Sequence, residues 1–160
     1  MSDLTLNEIS SRMRTIDIAM LMTCTDDGCI TGRPLSNNQG VDSEGNTYYF
    51  TWGYSRMVED IERHPQVTLS FQADGHLFDK PVRINVQGKA EVVRDSEAFH
   101  EHWSHRLDHW FDRGPDTPGL VMIKVRAQRV HYWDGPCEGE ILLDTPPAKP
   151  AGSARAVSAR

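Results

Sequence analysis

Cysteines are few in this chain, and their arrangement argues against both a disulfide framework and a structural zinc site. The three are Cys24, Cys29 and Cys137, an odd number, and they do not stand at the spacing of a zinc-binding motif. We therefore expect reduced thiols in a reducing compartment rather than a disulfide framework or a structural zinc site.

Long apolar runs and net positive charge are also lacking. No stretch approaches the ~20 apolar residues of a membrane span, and residues 1–15 lack the basic start and apolar run of a signal peptide. The sequence thus predicts a soluble cytoplasmic protein with no membrane partner. Its net charge of −6 disfavours nucleic acid as a partner, so an anionic ligand would need a local basic site.

The length and composition fit a single domain. With 160 residues, 38% of them hydrophobic, the chain can bury one core of ordinary size. Residues 144–160 differ because they are rich in proline, alanine and serine and lack apolar anchors. We predict a folded domain over residues 1–143 and a disordered tail over residues 144–160.

Two short amphipathic helices are predicted in the first half of the chain. The first, over residues 5–14, begins with a capping box formed by Thr5 and Glu8 and carries apolar residues every three or four positions. The second begins at its cap, Ser55, and ends at Arg63, before a His-Pro dipeptide.

Seven strands are predicted from alternating apolar residues and from dense aromatic and β-branched segments bounded by turns. They cover residues 19–25, 30–36, 47–52, 67–71, 82–93 with a bulge or bend at Gly88, 120–125 and 129–133. The first two flank an Asp-Asp-Gly turn and are expected to form a hairpin. A sheet of this size protects its edges best by closing into a barrel.

A third helix, predicted to be the longest, begins at Asp95 or Ser96 and has an unusually aromatic apolar stripe. The stripe consists of Phe99, Trp103, Leu107 and Trp110. The same segment contains His100, His102, His105 and His109, which suggests a metal site. We favour a solvated histidine face and no metal, because a closed site needs three or four converging ligands.

A pattern suited to phosphate binding follows the third strand. Ser55 and Arg56 stand at a predicted helix N-terminus, where unpaired backbone N–H groups favour anions. Arg33, on a neighbouring strand, could supply a second contact, and Pro34 interrupts its strand and leaves backbone groups free for a planar ligand. Taken singly, such residues are more often a routine N-cap (Ser55), a solvated first-turn residue (Arg56) and an edge-strand charge (Arg33) than ligands.

Several short motifs in a fixed order carry a family resemblance. They are Ala19-Met-Leu21, Asp27-Gly28, Gly32-Arg-Pro-Leu35, Tyr49-Phe-Thr51, Ser55-Arg-Met-Val58, His64-Pro-Gln-Val67, Gln87-Gly-Lys-Ala90, Arg94-Asp95 and Val130-His-Tyr-Trp-Asp134. Together they resemble the FMN-binding split-barrel superfamily, where FMN is flavin mononucleotide. More closely, the chain resembles the bacterial general stress protein branch of the pyridoxamine 5′-phosphate oxidase-like proteins.

The resemblance implies a mainly β protein with a few helices, a six- to eight-stranded antiparallel split β-barrel. It also implies a homodimer that binds FMN, or alternatively FAD, at the subunit interface. The implied cofactor-binding residues are Arg33, Pro34, Leu35, Ser36, Phe50, Thr51, Trp52, Ser55 and Arg56. Trp103 and Trp110 are candidates to cover the flavin ring from the second subunit, or else core members of the helix stripe.

Three functions stay open at this point. The leading hypothesis is an FMN-dependent oxidoreductase that takes a hydride from NADH or NADPH and reduces a small acceptor, with no catalytic side chain identified. The second is a stress protein that binds or sequesters flavin without turnover. The third is haem binding, since some split-barrel relatives bind haem.

Pyridoxamine phosphate oxidation is disfavoured. In the family, that reaction needs a second basic pocket near the C-terminus, which here coincides with the predicted tail. Lys80, Arg83 and Lys89 could instead form an unrelated anion site.

Overall fold

The computed structural model describes residues 3–74 and 80–143. Its strands are β1 (Ile18–Cys24), β2 (Ile30–Ser36), β3 (Thr47–Trp52), β4 (Gln66–Ala73), β5 (Val82–Val93), β6 (Leu120–Asp134) and β7 (Cys137–Leu142). Its α-helices are α1 (Leu6–Arg14), α2 (Arg56–Arg63) and α3 (Ser96–His102). Two single 3₁₀ turns follow α3, at His105–Leu107 and Gly114–Asp116.

All seven strands belong to one antiparallel sheet. Its order is β2-β1-β4-β5-β6-β3, and β7 also pairs with β6. The strands β2 and β3 therefore stand at the two ends of this order and do not pair with each other. The predicted fold class, a mainly β split barrel with a few helices, is confirmed.

The bend predicted at Gly88 is a β-bulge. Gln87 lies opposite Arg129 and Gly88 opposite Ala127, so β6 contributes one extra residue at this point. A side chain at position 88 would place its Cβ 2.3 Å from the backbone oxygen of Arg126, a contact that only glycine avoids.

Helix α1 starts as its capping pattern predicts. The Thr5 hydroxyl accepts a hydrogen bond from the backbone N–H of Glu8 at 3.3 Å, and the Glu8 carboxylate accepts one from the Thr5 N–H at 2.7 Å. At the far end, the buried Asn37 side chain donates to the backbone oxygens of Met13 and Ile16. This bond pair fixes the end of β2 against the end of α1.

The prediction of a long third helix is wrong. Helix α3 ends at His102, and Trp103 has an extended backbone with ψ of 135°. The Ser104 hydroxyl then caps a separate 3₁₀ turn, and the Trp103 indole N–H donates to the Asp108 carboxylate at 2.8 Å. The aromatic stripe is thus split between two short elements, because these contacts compete with a continuous helix.

The prediction of two separate strands near the C-terminus is also wrong. They form one 15-residue strand, β6, whose pairing with β5 continues across the bulge. The seventh strand is β7, which follows a turn at Gly135 with φ of +58°. It was missed because none of its residues is fully buried, so it lacks a clear apolar face.

Two separate apolar cores stabilise the fold. The barrel core lies between the sheet, α1 and α2, and its largest fully buried members include Tyr49, Phe71, Ile9, Met13, Leu21, Leu69, Ile84 and Ile123. The aromatic cluster joins α3 and the following turn to β3 and β6, and its buried members are Phe99, Leu107, Phe111, Leu120 and Met122.

Helices of the described ranges are all too short or too polar to cross a bilayer. The predicted tail, residues 144–160, lies outside the described residues.

Candidate functional site

A cleft of about 350 Å³ opens between β2 and β3, the strands at the two ends of the sheet order. Its lining residues are Ile18, Pro34, Leu35, Ser36, Asn38, Tyr49, Phe50, Thr51, Trp52, Leu107, Trp110 and Phe111. Most of this surface is apolar or aromatic, with hydroxyl and amide groups from Ser36, Asn38 and Thr51. A small organic ligand with a flat ring system suits a cleft of this size and composition.

The aromatic cluster builds one wall of the cleft. Phe50 packs edge-on against Phe99 and Trp103, with ring centroids 5.8 and 4.9 Å apart. Trp52 packs against Phe111 at 5.1 Å. Since these rings are fixed by their neighbours, the wall is formed before any ligand arrives.

Trp103 and Trp110, the two candidates to cover a flavin ring, occupy different environments. Trp110 lines the cleft and is 66% exposed. Trp103 lies outside the cleft, behind Phe50, and its indole N–H is bonded to Asp108. The geometry therefore favours Trp110 as a ligand contact and Trp103 as a support of the wall.

The amino end of α2 lies three residues beyond the cleft residue Trp52. Ser55 has the backbone conformation of an N-cap, but its side chain makes no capping hydrogen bond, and its Oγ is buried without a partner among the described residues. Arg56 is exposed and forms no hydrogen bond or ion pair within the described ranges. An N-terminus with free donors of this kind favours an anion.

Arg33 points toward the middle of α2 rather than its start. One Nη of its guanidinium donates to the Thr31 and Thr23 hydroxyls at 2.8 and 3.0 Å and lies 3.9 Å from the buried Asp60 carboxylate. Its Nε is buried and has no partner among the described residues. Much of the Arg33 guanidinium is therefore engaged inside the protein, and Asp60 offsets much of its charge.

Asp60 is a residue that the sequence analysis missed. It stands three residues after Met57 and next to Ile61, on the buried face of α2. A carboxylate at apolar helical spacing requires a cationic partner, and this signal could have identified the Arg33–Asp60 pair.

The structure brings most of the predicted site residues together. Those that line the cleft are Pro34, Leu35, Ser36, Phe50, Thr51, Trp52 and Trp110. Ser55 and Arg56 stand at the nearby end of α2, whereas Arg33 and Trp103 lie outside the lining. The sequence analysis did not assign the lining residues Ile18, Asn38, Tyr49, Leu107 and Phe111 to the site, although Tyr49 belonged to a family motif and Leu107 to the aromatic stripe.

Among the described residues that line the cleft, only Tyr49 has an ionisable side chain, and it is not poised for proton transfer. Burial raises the pKa of Tyr49 well above its usual 10, and its hydroxyl faces Asn37 Oδ1 at 3.5 Å. The cleft therefore offers hydrogen-bonding groups and apolar surface, but no acid or base that works near neutral pH.

The histidines of α3 and the following turn have separate partners. His100 is bonded to Asp116 at 2.8 Å, His105 to Asp108 at 3.1 Å, and His102 stacks on Tyr48 with ring centroids 3.8 Å apart. Within the described ranges, no three His, Cys, Asp or Glu side chains are grouped as metal ligands would be.

Lys80, Arg83 and Lys89 do not form the common anion site considered from the sequence. Arg83 and Lys89 lie six residues apart on β5, a separation of about 20 Å at ~3.3 Å per residue. Lys89 lies instead beside Arg126 of β6.

Comparison with known proteins identifies the family. A family model described as "Pyridoxamine 5'-phosphate oxidase like" matches residues 5–145. The chain belongs to this family. It is 30% identical over 100 residues to General stress protein 26 of Bacillus subtilis, an alignment covering 62% of this chain and 70% of that protein. The resemblance to the general stress protein branch is confirmed.

Solved structures of relatives share the fold. A Clostridium acetobutylicum protein related to general stress protein 26 superposes with a TM-score of 0.73 at 18% identity, covering 86% of this chain and 94% of that one. A heme binding protein from Mycobacterium smegmatis superposes with a TM-score of 0.70 at 15% identity, covering 89% of this chain and 60% of that one.

Proposed function

We propose that this family member binds FMN in the cleft and acts as a flavin-dependent oxidoreductase on a small acceptor. The observation that carries the proposal is the juxtaposition of the aromatic-walled cleft with the amino end of α2, where Ser55 and Arg56 have free donors. The apolar cleft suits a flavin ring and the helix end suits its phosphate, so the two parts match the two halves of FMN.

The polar groups around α2 differ in what they offer a phosphate. Arg56 has its whole guanidinium available, whereas Arg33 shares its charge with Asp60 and two threonine hydroxyls. We therefore assign Arg56 the main charge-assisted contact and Arg33 a weaker, supporting one.

Bound FMN would supply the redox chemistry, accepting a hydride from NADH or NADPH and passing electrons to the acceptor. The residues of this chain bind the flavin, orient it and exclude water, since none of the lining side chains is a neutral-pH acid or base. The alternative is a stress protein that sequesters flavin. Oxidation of NADH or NADPH by the holoprotein above the rate of free FMN would support the enzyme, and its absence would support sequestration.

Haem binding is the rival suggested by the Mycobacterium smegmatis relative. The cleft argues against it because its lining contains no histidine, cysteine or methionine among the described residues, and its one tyrosine faces Asn37. A visible spectrum of the purified protein decides between them, since flavin and haem have separate absorption bands.

We also propose that two copies of the chain form a homodimer through the outer face of β1 and β2. Ile18, Met20 and Ile30 are 52%, 40% and 75% exposed on these strands. Met20 lies directly opposite Pro34, so the apolar face continues to the cleft. Covering this face with a second copy removes apolar surface from water and encloses the cleft.

The substitution Arg56→Ala tests the phosphate assignment. The affinity for FMN should fall about tenfold to a hundredfold, because a charge-assisted contact is worth roughly 1.5 to 3 kcal/mol. The affinity for riboflavin, which lacks the phosphate, should not change. The melting temperature of the apoprotein should stay constant since Arg56 is exposed.

Arg63→Ala is the matched control, because it removes the same charge from the opposite end of α2. It should leave FMN affinity unaltered. Equal losses of FMN and riboflavin affinity in Arg56→Ala, or an equal loss of FMN in Arg63→Ala, would contradict the assignment. Titration of FAD beside FMN shows whether the site admits the larger cofactor.

A further inference from the structure

Three basic side chains meet on the outer face of β5 and β6, away from the cleft. Lys89 lies directly opposite Arg126, and Lys124 lies directly opposite Glu91. Together with Ala90, they line a cavity of about 280 Å³, which we call the basic pocket. Within the described ranges none of the three cations forms an ion pair, although Glu91 is a direct neighbour.

This arrangement costs stability in the absence of an anion. Like charges placed directly opposite each other on neighbouring strands repel, as Lys89 and Arg126 do. The chain as a whole is acidic, with 23 Asp and Glu against 17 Lys and Arg, so carboxylates for pairing these cations are plentiful in its composition. The basic pocket nevertheless contains a single carboxylate among its lining residues.

The backbone fixes this juxtaposition. At the bulge, the backbone of Gly88 lies so close to the Arg126 backbone oxygen that a Cβ at position 88 could not be accommodated. Lys89 is the next residue after this close contact. Lys124 is held from the other side, since its Nζ lies 5.9 Å from the centre of the Tyr48 ring. The three cations therefore belong to one rigid part of the sheet.

We propose that the basic pocket binds a compact multivalent anion, namely the phosphate or pyrophosphate group of a small molecule. A guanidinium matches phosphate oxygens in a bidentate manner, and two ammonium groups beside it add charge without demanding a fixed geometry. Such an anion removes the repulsion between Lys89 and Arg126. The basic pocket shares no lining residue with the cleft, so this site is separate from the proposed flavin site.

Calorimetric titration with inorganic pyrophosphate at low salt tests the proposal. The wild type should bind it, and Lys89→Gln and Arg126→Gln should each weaken binding at least about tenfold. Arg129→Gln is the matched control, because Arg129 lies on the same strand but already pairs with Glu140 at 3.3 Å. It should bind pyrophosphate as the wild type does.

A second measurement tests the repulsion directly. Without any anion, Arg126→Gln should melt at the same temperature as the wild type or higher, since a repulsive pair is removed. A lower melting temperature would show that Arg126 serves the packing of the sheet and would overturn the proposal.

Three further outcomes would overturn it. The wild type could fail to bind pyrophosphate beyond the effect of sodium chloride at equal ionic strength, or Arg129→Gln could weaken binding as much as Arg126→Gln does. Loss of FMN from Arg126→Gln would make the basic pocket part of the flavin site. Unchanged FMN content with lost pyrophosphate binding supports two separate sites.

Discussion

The barrel core and the aromatic cluster bury similar kinds of side chain but are built differently. In the barrel core, Leu69, Phe71 and Ile84 come from long strands and are 0% exposed. The aromatic cluster is built partly from a seven-residue helix and a single 3₁₀ turn, and its buried members Phe99 and Phe111 retain 6% exposure. One side of the cluster is also the wall of the cleft. The comparison separates a region that maintains the fold from one that in addition shapes a binding surface.

The largest effect is expected from a cavity in the barrel core. Phe71→Ala removes a fully buried ring from β4 and should lower the free energy of unfolding by about 3 to 5 kcal/mol. Chemical denaturation measures this loss. The flavin bound per folded molecule should stay the same, because Phe71 is not a cleft residue. A loss of flavin without a loss of stability would erase the distinction between the two regions.

A large effect on assembly is expected at the outer face of the barrel. Met20→Glu places a charge in the apolar face of β1 and β2 and should convert the proposed dimer into a monomer at micromolar concentration. Light scattering reports the change against the 18.1 kDa chain mass. Asn7→Glu adds the same charge to an exposed position of α1 and should leave the dimer intact. A wild-type monomer that holds FMN with full affinity would contradict the dimer proposal.

A smaller effect is expected at the exposed edge of the aromatic cluster. Trp110→Ala should weaken flavin binding by about twofold to tenfold, the amount that an aromatic contact of roughly 0.5 to 1.5 kcal/mol supplies. The free energy of unfolding of Trp110→Ala should differ from that of the wild type by no more than about 0.5 kcal/mol, because the indole is 66% exposed. Asp112→Ala, at an exposed position that does not line the cleft, serves as the control in the same flavin titration. Unaltered flavin affinity in Trp110→Ala would remove this residue from the proposed site.

The same contrast explains what the sequence could predict. The strands from β1 to β5 follow from turns and period-two patterns that act locally, as at Gly28 and Gly88. The end of α3 does not follow from such local patterns, because Phe99, Trp103 and Leu107 are equally compatible with one long helix. The contacts that end it, Ser104 with Arg106 and Trp103 with Asp108, depend on how the segment packs against β3.

The candidate site was predictable to a similar, limited extent. Family motifs indicated Pro34 to Ser36 and Phe50 to Trp52, which do line one cleft. Ile18 and Asn38 could not be recognised as site residues, because they line the cleft only where β2 and β3 approach each other in the folded protein. The direction of Arg33 was likewise hidden, since it depends on the buried Asp60 of a different element.

The smallest effect on stability is expected from two exposed carboxylates, Asp26 at the barrel hairpin and Asp108 beside the aromatic cluster. His64 and Arg63 hold the pKa of Asp26 below its usual 3.8 at the barrel hairpin, chiefly through the hydrogen bond from His64. In the aromatic cluster, the hydrogen bond from the Trp103 indole, followed by that from His105, lowers the pKa of Asp108 in the same way. A lowered pKa means that the ionised carboxylate stabilises the fold above pH 3.8. This stabilisation is lost as the pH falls through the lowered value.

Asp26→Asn and Asp108→Asn should therefore melt at lower temperatures than the wild type at about pH 6, and the differences should shrink as the pH falls below 3.8. Both differences should be small because the two side chains are 53% and 52% exposed. The variants should differ in tryptophan fluorescence, which only Asp108→Asn should alter, since only Asp108 accepts from the Trp103 indole. A fluorescence change in Asp26→Asn would show that the barrel hairpin and the aromatic cluster are coupled. A melting difference that does not shrink as the pH falls below 3.8 would mean that the shape of the carboxylate, and not its charge, is what stabilises the fold.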